Sequence, residues 1–203
     1  MLETTALSCE RGGLRLFAGL SFALGPGALL RVRGANGSGK TTLLRTLAGL
    51  TRPSAGAVRW RGNAIDDDYR GEMLFLGHAP AVKDDLTVAE NLVYALRIGG
   101  VAPSGAQCEH ALETLGIVRL AALPARVLSQ GQRRRAALAR LALSAQVPLW
   151  LLDEPFTALD AAGIAAVSEL CAGHLARGGL LVLTSHQDVD IVAQATLSIE
   201  LRD

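Results

Sequence analysis

Eight consecutive residues, Gly34-Ala35-Asn36-Gly37-Ser38-Gly39-Lys40-Thr41, followed by a second threonine, Thr42, carry the clearest chemical signal in the chain. Their spacing, G-x-x-x-x-G-K-[ST], is that of a phosphate-binding loop. The glycines let successive backbone N–H groups turn inward on an anion, and the helix that follows presents its positive end to the same charge. Lys40 adds a point charge at the outer phosphates, and Thr41 offers a hydroxyl to Mg²⁺. The flanks fit this frame. The apolar run Ala28-Leu29-Leu30-Arg31-Val32 leads in as a strand, and Leu43, Leu44, Leu47 and Leu50 follow at helical spacing.

A second set of groups stands further on. Leu149-Trp150-Leu151-Leu152 predicts a buried strand that delivers Asp153 and Glu154 to its carboxyl end, where open α/β sheets bind their ligands. Neighbouring side chains at a strand end diverge, so Asp153 is placed to reach the Mg²⁺ shell while Glu154 faces an attacking water. Phosphoryl transfer needs charge neutralisation and an oriented nucleophile more than covalent help. His186 closes the apolar run Leu180 to Leu183 through Thr184 and Ser185. Alone, it reads equally well as a satisfied strand-end histidine. Asp66-Asp67-Asp68 reads as a solvated loop, because three consecutive carboxylates in an extended chain do not face one point. Arg133-Arg134-Arg135 and Arg140 read as a solvated or ion-paired helix face. Successive helical residues spread around the axis, and no aromatic residues interleave for base stacking, so no nucleic-acid partner is expected.

These groups need a scaffold that brings three strand ends together. The 203 residues suit one compact domain with an inserted subdomain, and half of them are hydrophobic, enough for a sizeable core. Twenty Lys and Arg against nineteen Asp and Glu leave a formal charge of +1, so charge alone names no anionic partner. Cys9, Cys108 and Cys171 form no C-x-x-C and are odd in number, which argues for core residues in a reducing compartment over disulfide or zinc chemistry. Met1-Leu2-Glu3 opens without a basic segment, and no apolar stretch is long enough to span a bilayer, so secretion and membrane crossing are not expected. Strands are predicted at residues 2–9 and 20–24 in an antiparallel opening sheet, then at 57–61, 73–76, 149–152, 180–183 and 196–201. Thr87-x-x-Glu90 is a capping box that starts one helix, and residues 104–115 and 161–177 form others. Residues 1–203 then make one domain: a core with a β subdomain over 1–78 and 128–203, and a helical subdomain over 79–127.

Leu128-Ser129-Gln130-Gly131-Gln132 resembles the signature motif of the ATP-binding cassette ATPases, with Gln130 where glycine is commoner. Ser129 is an N-cap with Gln132 three residues on, so this is a second anion-facing helix start. The resemblance implies an α/β P-loop NTPase with a RecA-like core, an antiparallel β subdomain and an inserted helical subdomain. It implies ATP and Mg²⁺ as cofactors, with Thr41, Asp153 and His78 toward the metal. It further implies a head-to-tail homodimer on ATP binding, each nucleotide lying between one P-loop and the partner's Ser129, Gly131 and Gln132. Thr157-Ala158-Leu159-Asp160 resembles the D-loop, and His186 the histidine that contacts the γ-phosphate, alongside Glu154 as the catalytic carboxylate. Two positions depart from the family pattern. His78 stands where the Q-loop glutamine is usual, and Arg11 stands near the position where the family often has an aromatic residue stacked on adenine; a guanidinium plane can also stack, or the contact is absent.

Phe75-Leu76-Gly77-His78, Leu86 to Leu92, Ser129 to Leu141 and Pro148 to Asp160 together resemble the haem exporter ATPases of bacterial cytochrome c maturation. That resemblance implies a peripheral subunit on the cytoplasmic face of the inner membrane, bound to integral transporter subunits, whose ATP hydrolysis drives haem delivery. Haem in this subunit is not expected, since the chain lacks C-x-x-C-H and His110 and His174 fall in helical patterns that suit surface or packing roles. The rival readings are the ATPase of another transporter, a soluble cassette ATPase such as one in iron-sulfur assembly, and a dimer gated by ATP without hydrolysis. Imidazole protonates near neutral pH and would then oppose Mg²⁺. A His78→Gln variant is therefore expected to flatten the pH profile of turnover across neutrality; an unchanged rate and profile would remove that role for His78.

Overall fold

Strand alternation sets the layering in the computed structural model, which describes residues 1–201. β1 (Leu2–Arg11) and β2 (Leu14–Leu24) pair antiparallel around Gly12-Gly13, whose positive φ angles of 58° and 79° make the turn. β4 (Ala55–Trp60) pairs with the other edge of β1, and the two-residue β5 (Asn63–Ala64) ends this sheet, in the order β2-β1-β4-β5. The second sheet is parallel throughout, in the order β6 (Met73–Leu76), β7 (Leu149–Asp153), β8 (Leu180–Thr184), β3 (Ala28–Gly34) and β9 (Ala195–Leu201). This is the antiparallel sheet leading into a parallel α/β core that the sequence implies.

Parallel strands covered on both faces read as continuous apolar runs, and here the two faces serve different cores. Leu149 and Leu151 of β7, Leu180 and Val182 of β8, and Leu30 and Val32 of β3 join a cluster with Leu43, Leu44 and Leu47 of α1 (Lys40–Leu47) and with Trp60 of β4. Their alternates, Trp150, Leu152, Leu181, Leu183 and Leu29, join a second cluster with the helical layer. That layer comprises α3 (Val88–Ile98), α4 (Gly105–Thr114), α5 (Gln130–Leu138) and α6 (Ala161–Ala176). Each of these four helices is closed at its start by a side chain: Thr87, Ser104, Ser129 and Asp160 accept from the amide three residues on. Among the described residues, no helix is long and apolar enough to cross a membrane.

Two expectations are corrected. β2 begins at Leu14 rather than near residue 20, because its first half pairs with β1 through bulges around Gly19 at φ 66°. The acid run is not all loop: Asp66 caps α2 (Asp67–Gly71), accepting from the Tyr69 amide, and the Tyr69 hydroxyl donates to the Leu47 carbonyl at 2.7 Å. The charged side chains of Asp67 and Asp68 remain exposed.

His110 is exposed, whereas His174 of α6 is buried and stacks on Trp150 at 4.0 Å between ring centres. Its Nε2 lies 3.1 Å from the Leu180 carbonyl, which fixes the proton there. Burial lowers its pKa from 6.5 to about 4. The folded ring is thus neutral where the unfolded ring takes up a proton, and stability falls as pH drops from 6.5 to about 4, by roughly 3 kcal/mol in all. In denaturant titrations at several pH values, His174→Phe is expected to lose this part of the acid sensitivity; an unchanged slope would show that other groups carry it.

Candidate active site

The P-loop runs from β3 into α1, and its glycines are conformational requirements. Gly34, Gly37 and Gly39 have φ of 145°, 90° and 96°. A Cβ on Gly34 would lie 2.5 Å from Ser38 Oγ and 2.6 Å from the Leu201 carbonyl, so the loop closes against β9 only with glycine there. Gly39 begins α1 with no side-chain cap, unlike the four helices of the opposite layer, and its first-turn amides stay available to an anion. Lys40 is buried and donates from Nζ to the carbonyls of Gly34 at 2.8 Å and Ala35 at 2.9 Å, which holds its charge across the loop. Ser38 Oγ is buried within the loop without a hydrogen-bond partner. In a built phosphate cradle such an atom marks a ligand contact.

Asp153, at the end of β7, is 1% exposed. Thr41 Oγ1 donates to its Oδ2 at 2.8 Å and Thr184 Oγ1 to its Oδ1 at 2.7 Å, so one carboxylate ties α1, β7 and β8 together. The amide of Glu154 donates to the same Thr184 hydroxyl at 2.8 Å. Glu154 takes φ 50°, a left-handed turn that swings its side chain away from the strand direction. The His186 amide donates to Glu154 Oε2 at 3.3 Å, and His186 Nε2 lies 3.4 Å from Oε1, which is buried and accepts no hydrogen bond.

A cleft of about 710 Å³ gathers most of the expected residues: Asn36, Gly37, Gly39, Lys40, Thr41, Thr42, His78, Asp153, Glu154 and His186, with Thr157. Gly34, Ala35 and Ser38 shape the loop itself. Arg11, Leu14 and Leu16 line the cleft too, and among the described residues no phenylalanine, tyrosine or tryptophan does, the Phe17 ring being buried behind Gly39. Ser129, Gly131 and Gln132 do not line this cleft. They open α5 in a closed capping box, Ser129 Oγ accepting from the Gln132 amide at 3.3 Å and Gln132 Oε1 from the Ser129 amide at 2.9 Å. A Cβ on Gly131 would lie 2.7 Å from the Ala158 carbonyl, which packs α5 tightly on the turn after Glu154.

The arginine run keeps the expected ion-paired face at Arg133 and Arg135 and departs from it at Arg134 and Arg140. Arg133 pairs with Asp84, and Arg135 with Asp160 and the Leu115 carbonyl. Arg140 is instead directed inward to the Phe75 carbonyl at 2.6 Å, and burial pushes its pKa down to about 10. Arg134 is 3% exposed and donates to the main-chain carbonyls of Asp153 and Glu154. Desolvation lowers its pKa, and the neighbouring Asp153 and Glu154 charges pull it back up. Thr184 and Arg134 are the site residues that sequence reasoning missed. The only signal for Thr184 is its register opposite Asp153 in the β7–β8 pair.

A P-loop, a strand-end carboxylate pair and a capped signature helix on a two-sheet frame define an ATP-binding cassette. The ABC transporter family profile matches residues 17–157, and the chain belongs to this family. Within it, the chain is 48% identical to the cytochrome c biogenesis ATP-binding export protein CcmA of Aromatoleum aromaticum, covering 97% of this chain and 94% of that one. The protein of the same name from Escherichia coli K12 is 44% identical over 99% of this chain and 96% of its own length. The ATP-binding cassette MJ0796, solved as a dimer in a post-hydrolysis state bound to ADP and Pi, superposes with a TM-score of 0.80 at 25% identity, over 92% of this chain and 88% of that one. A putative ABC transporter ATP-binding protein of Pyrococcus furiosus shares the fold, with a TM-score of 0.80 at 24% identity over 98% of this chain and 96% of that one.

Thr184→Val keeps the side-chain shape and removes both bonds of the hydroxyl. Because the Asp153 carboxylate then loses one of its two donors, the variant is expected to be less stable by about 1–3 kcal/mol. Its kcat for ATP is expected to fall about tenfold with KM within about twofold, measured by steady-state phosphate release. A wild-type kcat would show that the bridge does not position Glu154.

Proposed function

We propose that this chain is the ATP-hydrolysing subunit of an ABC export complex serving c-type cytochrome biogenesis, with haem as its cargo. The observation that carries the ATPase reading is the convergence of Lys40, Thr41, Asp153, Glu154 and His186 on one cleft. The biological role rests on the relatives at 44–48% identity over nearly the whole chain.

The residues divide the work by charge. The α1 amides and the Lys40 ammonium bind the phosphate chain, and Ser38 Oγ supplies a further contact from inside the loop. Thr41 Oγ1 and the Asp153 carboxylate form an oxygen-donor pair of the kind a hard cation takes, with His78 facing the same cleft, and they would hold Mg²⁺. When bound, the ion neutralises charge on the phosphate oxygens. Glu154 orients water and accepts its proton as water oxygen bonds to the terminal phosphorus and the bridging bond to ADP breaks. His186 is placed by its two contacts with Glu154 to meet the terminal phosphate.

The signature residues lie outside this chain's own cleft, which supports a head-to-tail pair in which Ser129, Gly131 and Gln132 reach the nucleotide of a partner. MJ0796 is a dimer in its solved structures. On this reading the subunit sits peripherally on the cytoplasmic face of the inner membrane and docks on integral subunits. The helical layer formed around residues 79–127 supplies the docking face.

Glu154→Gln is expected to lower turnover about a hundredfold or more while ATP binding persists, so that ATP-bound dimers accumulate in size-exclusion chromatography. Turnover close to wild type without dimer accumulation would remove Glu154 from its assigned role. Capture from native membranes is expected to bring integral partners of cytochrome biogenesis with it, and recovery with the partners of another transporter would overturn the cargo.

A further inference from the structure

Arg134 lies in the second turn of α5, behind the signature residues, and it touches neither nucleotide-cleft space nor any carboxylate. Its partners are five main-chain carbonyls. Nε donates to Pro155 at 3.3 Å, Nη1 to Gly77 at 3.2 Å and His78 at 3.1 Å, and Nη2 to Asp153 at 2.8 Å and Glu154 at 2.6 Å. A guanidinium has five N–H groups in a fixed planar fork, so its donor capacity is matched.

The placement answers a backbone problem. β6 and β7 pair in parallel from Met73↔Leu149 to Leu76↔Leu152, and the ladder stops there. Beyond it the two chains leave the sheet as Gly77-His78 and Asp153-Glu154-Pro155, with Glu154 in a left-handed turn. Carbonyls removed from water and left unpaired at that point would lose their hydration with nothing in return. The Arg134 fork replaces the missing ladder and holds the two strand exits in one plane. The neighbouring contacts point the same way: Arg135 binds Asp160, and Gly131 packs on the Ala158 carbonyl. The whole start of α5 is thereby tied to residues 153–160.

We infer that Arg134 is a positioning residue for ATP hydrolysis, whose guanidinium fixes the backbone that aims Glu154 and makes the signature helix and the catalytic carboxylate of one chain a single mechanical unit. This deepens the proposed function and rests on Glu154 acting in hydrolysis. In a head-to-tail pair, the signature helix closing on the partner's nucleotide moves the Glu154 of its own chain with it. One site is then told, through Arg134, that the other is occupied.

The test is a double-mutant cycle in the full chain, with Arg134→Lys and Arg134→Gln each made alone and in a Glu154→Gln background. Rates of single-turnover ATP hydrolysis are normalised to sites that bind a non-hydrolysable ATP analogue, so partial unfolding does not count as lost catalysis. Arg134→Lys keeps the charge but offers three donors in place of five. It is expected to lower the rate per site about 10- to 100-fold, with analogue affinity within about threefold, and Arg134→Gln to lower it further. In the Glu154→Gln background the same changes are expected to cost less than about twofold, because the residue they act through is already disabled. Equal losses in both backgrounds, or an unchanged rate per binding site in the single variants, would overturn the inference. Failure of both variants to yield any nucleotide-binding protein would do so too, by making Arg134 a folding residue. If Glu154→Gln itself leaves turnover intact, it is the proposed function that falls.

Discussion

A carboxylate removed almost wholly from water is costly unless its oxygens are satisfied, and Asp153 meets that cost with the hydroxyls of Thr41 and Thr184. Those two bonds fix which strands can be neighbours. The P-loop helix must start beside the end of β7, and β8 must end level with it, so β7 sits one strand from β3 with β8 between them. The rest of the site follows from that closure. Thr184 spends its acceptor on the Glu154 amide, which sets the turn that presents Glu154, and the chain leaving β8 brings His186 alongside. Each polar atom in this chain of contacts therefore has two duties, satisfying a buried neighbour and placing a reactive one.

Much of this is legible in the sequence because the signals are local. The P-loop carries its own geometry in glycine spacing, and the capping boxes at Thr87 and Ser129 are closed by residues three apart. Strands β6, β7 and β8 read as apolar runs since both of their faces are covered. What escapes is whatever depends on a distant partner. The first half of β2 has an exposed Leu14 and a bulge at Gly19, and only its pairing with β1 makes it a strand. Helix α2 hangs on one anchoring side chain, Tyr69, under an acidic start that looks like solvated loop. Arg133, Arg134 and Arg135 are identical as letters. Their different fates come from how α5 is rotated against the strand ends, which is decided by tertiary packing.

The uncapped start of α1 and the self-closed start of α5 make a pair of contrasting helix ends. At α1 the helix dipole and free amides face a loop already holding a lysine charge, a state that only an anion relieves. At α5 the Ser129 and Gln132 side chains already occupy each other's amides. On the proposed function, nucleotide capture falls first to the P-loop, and engagement of the signature by a partner's nucleotide would exchange its capping bonds for new ones.

The parallel sheet acts as a partition. Alternate residues of each central strand belong to separate buried clusters, so Leu151 and Trp150 are chain neighbours that never share a core. Substitutions in the helical layer meet the cluster around Trp150, Leu152 and Leu183, whereas α1 packs on the other face. On the proposed function, the wall that would meet a membrane subunit can thus be repacked apart from the wall that holds α1. The two layers are tied at the strand exits, where the Arg134 guanidinium of α5 holds the main chain that carries Asp153 toward Thr41 of α1.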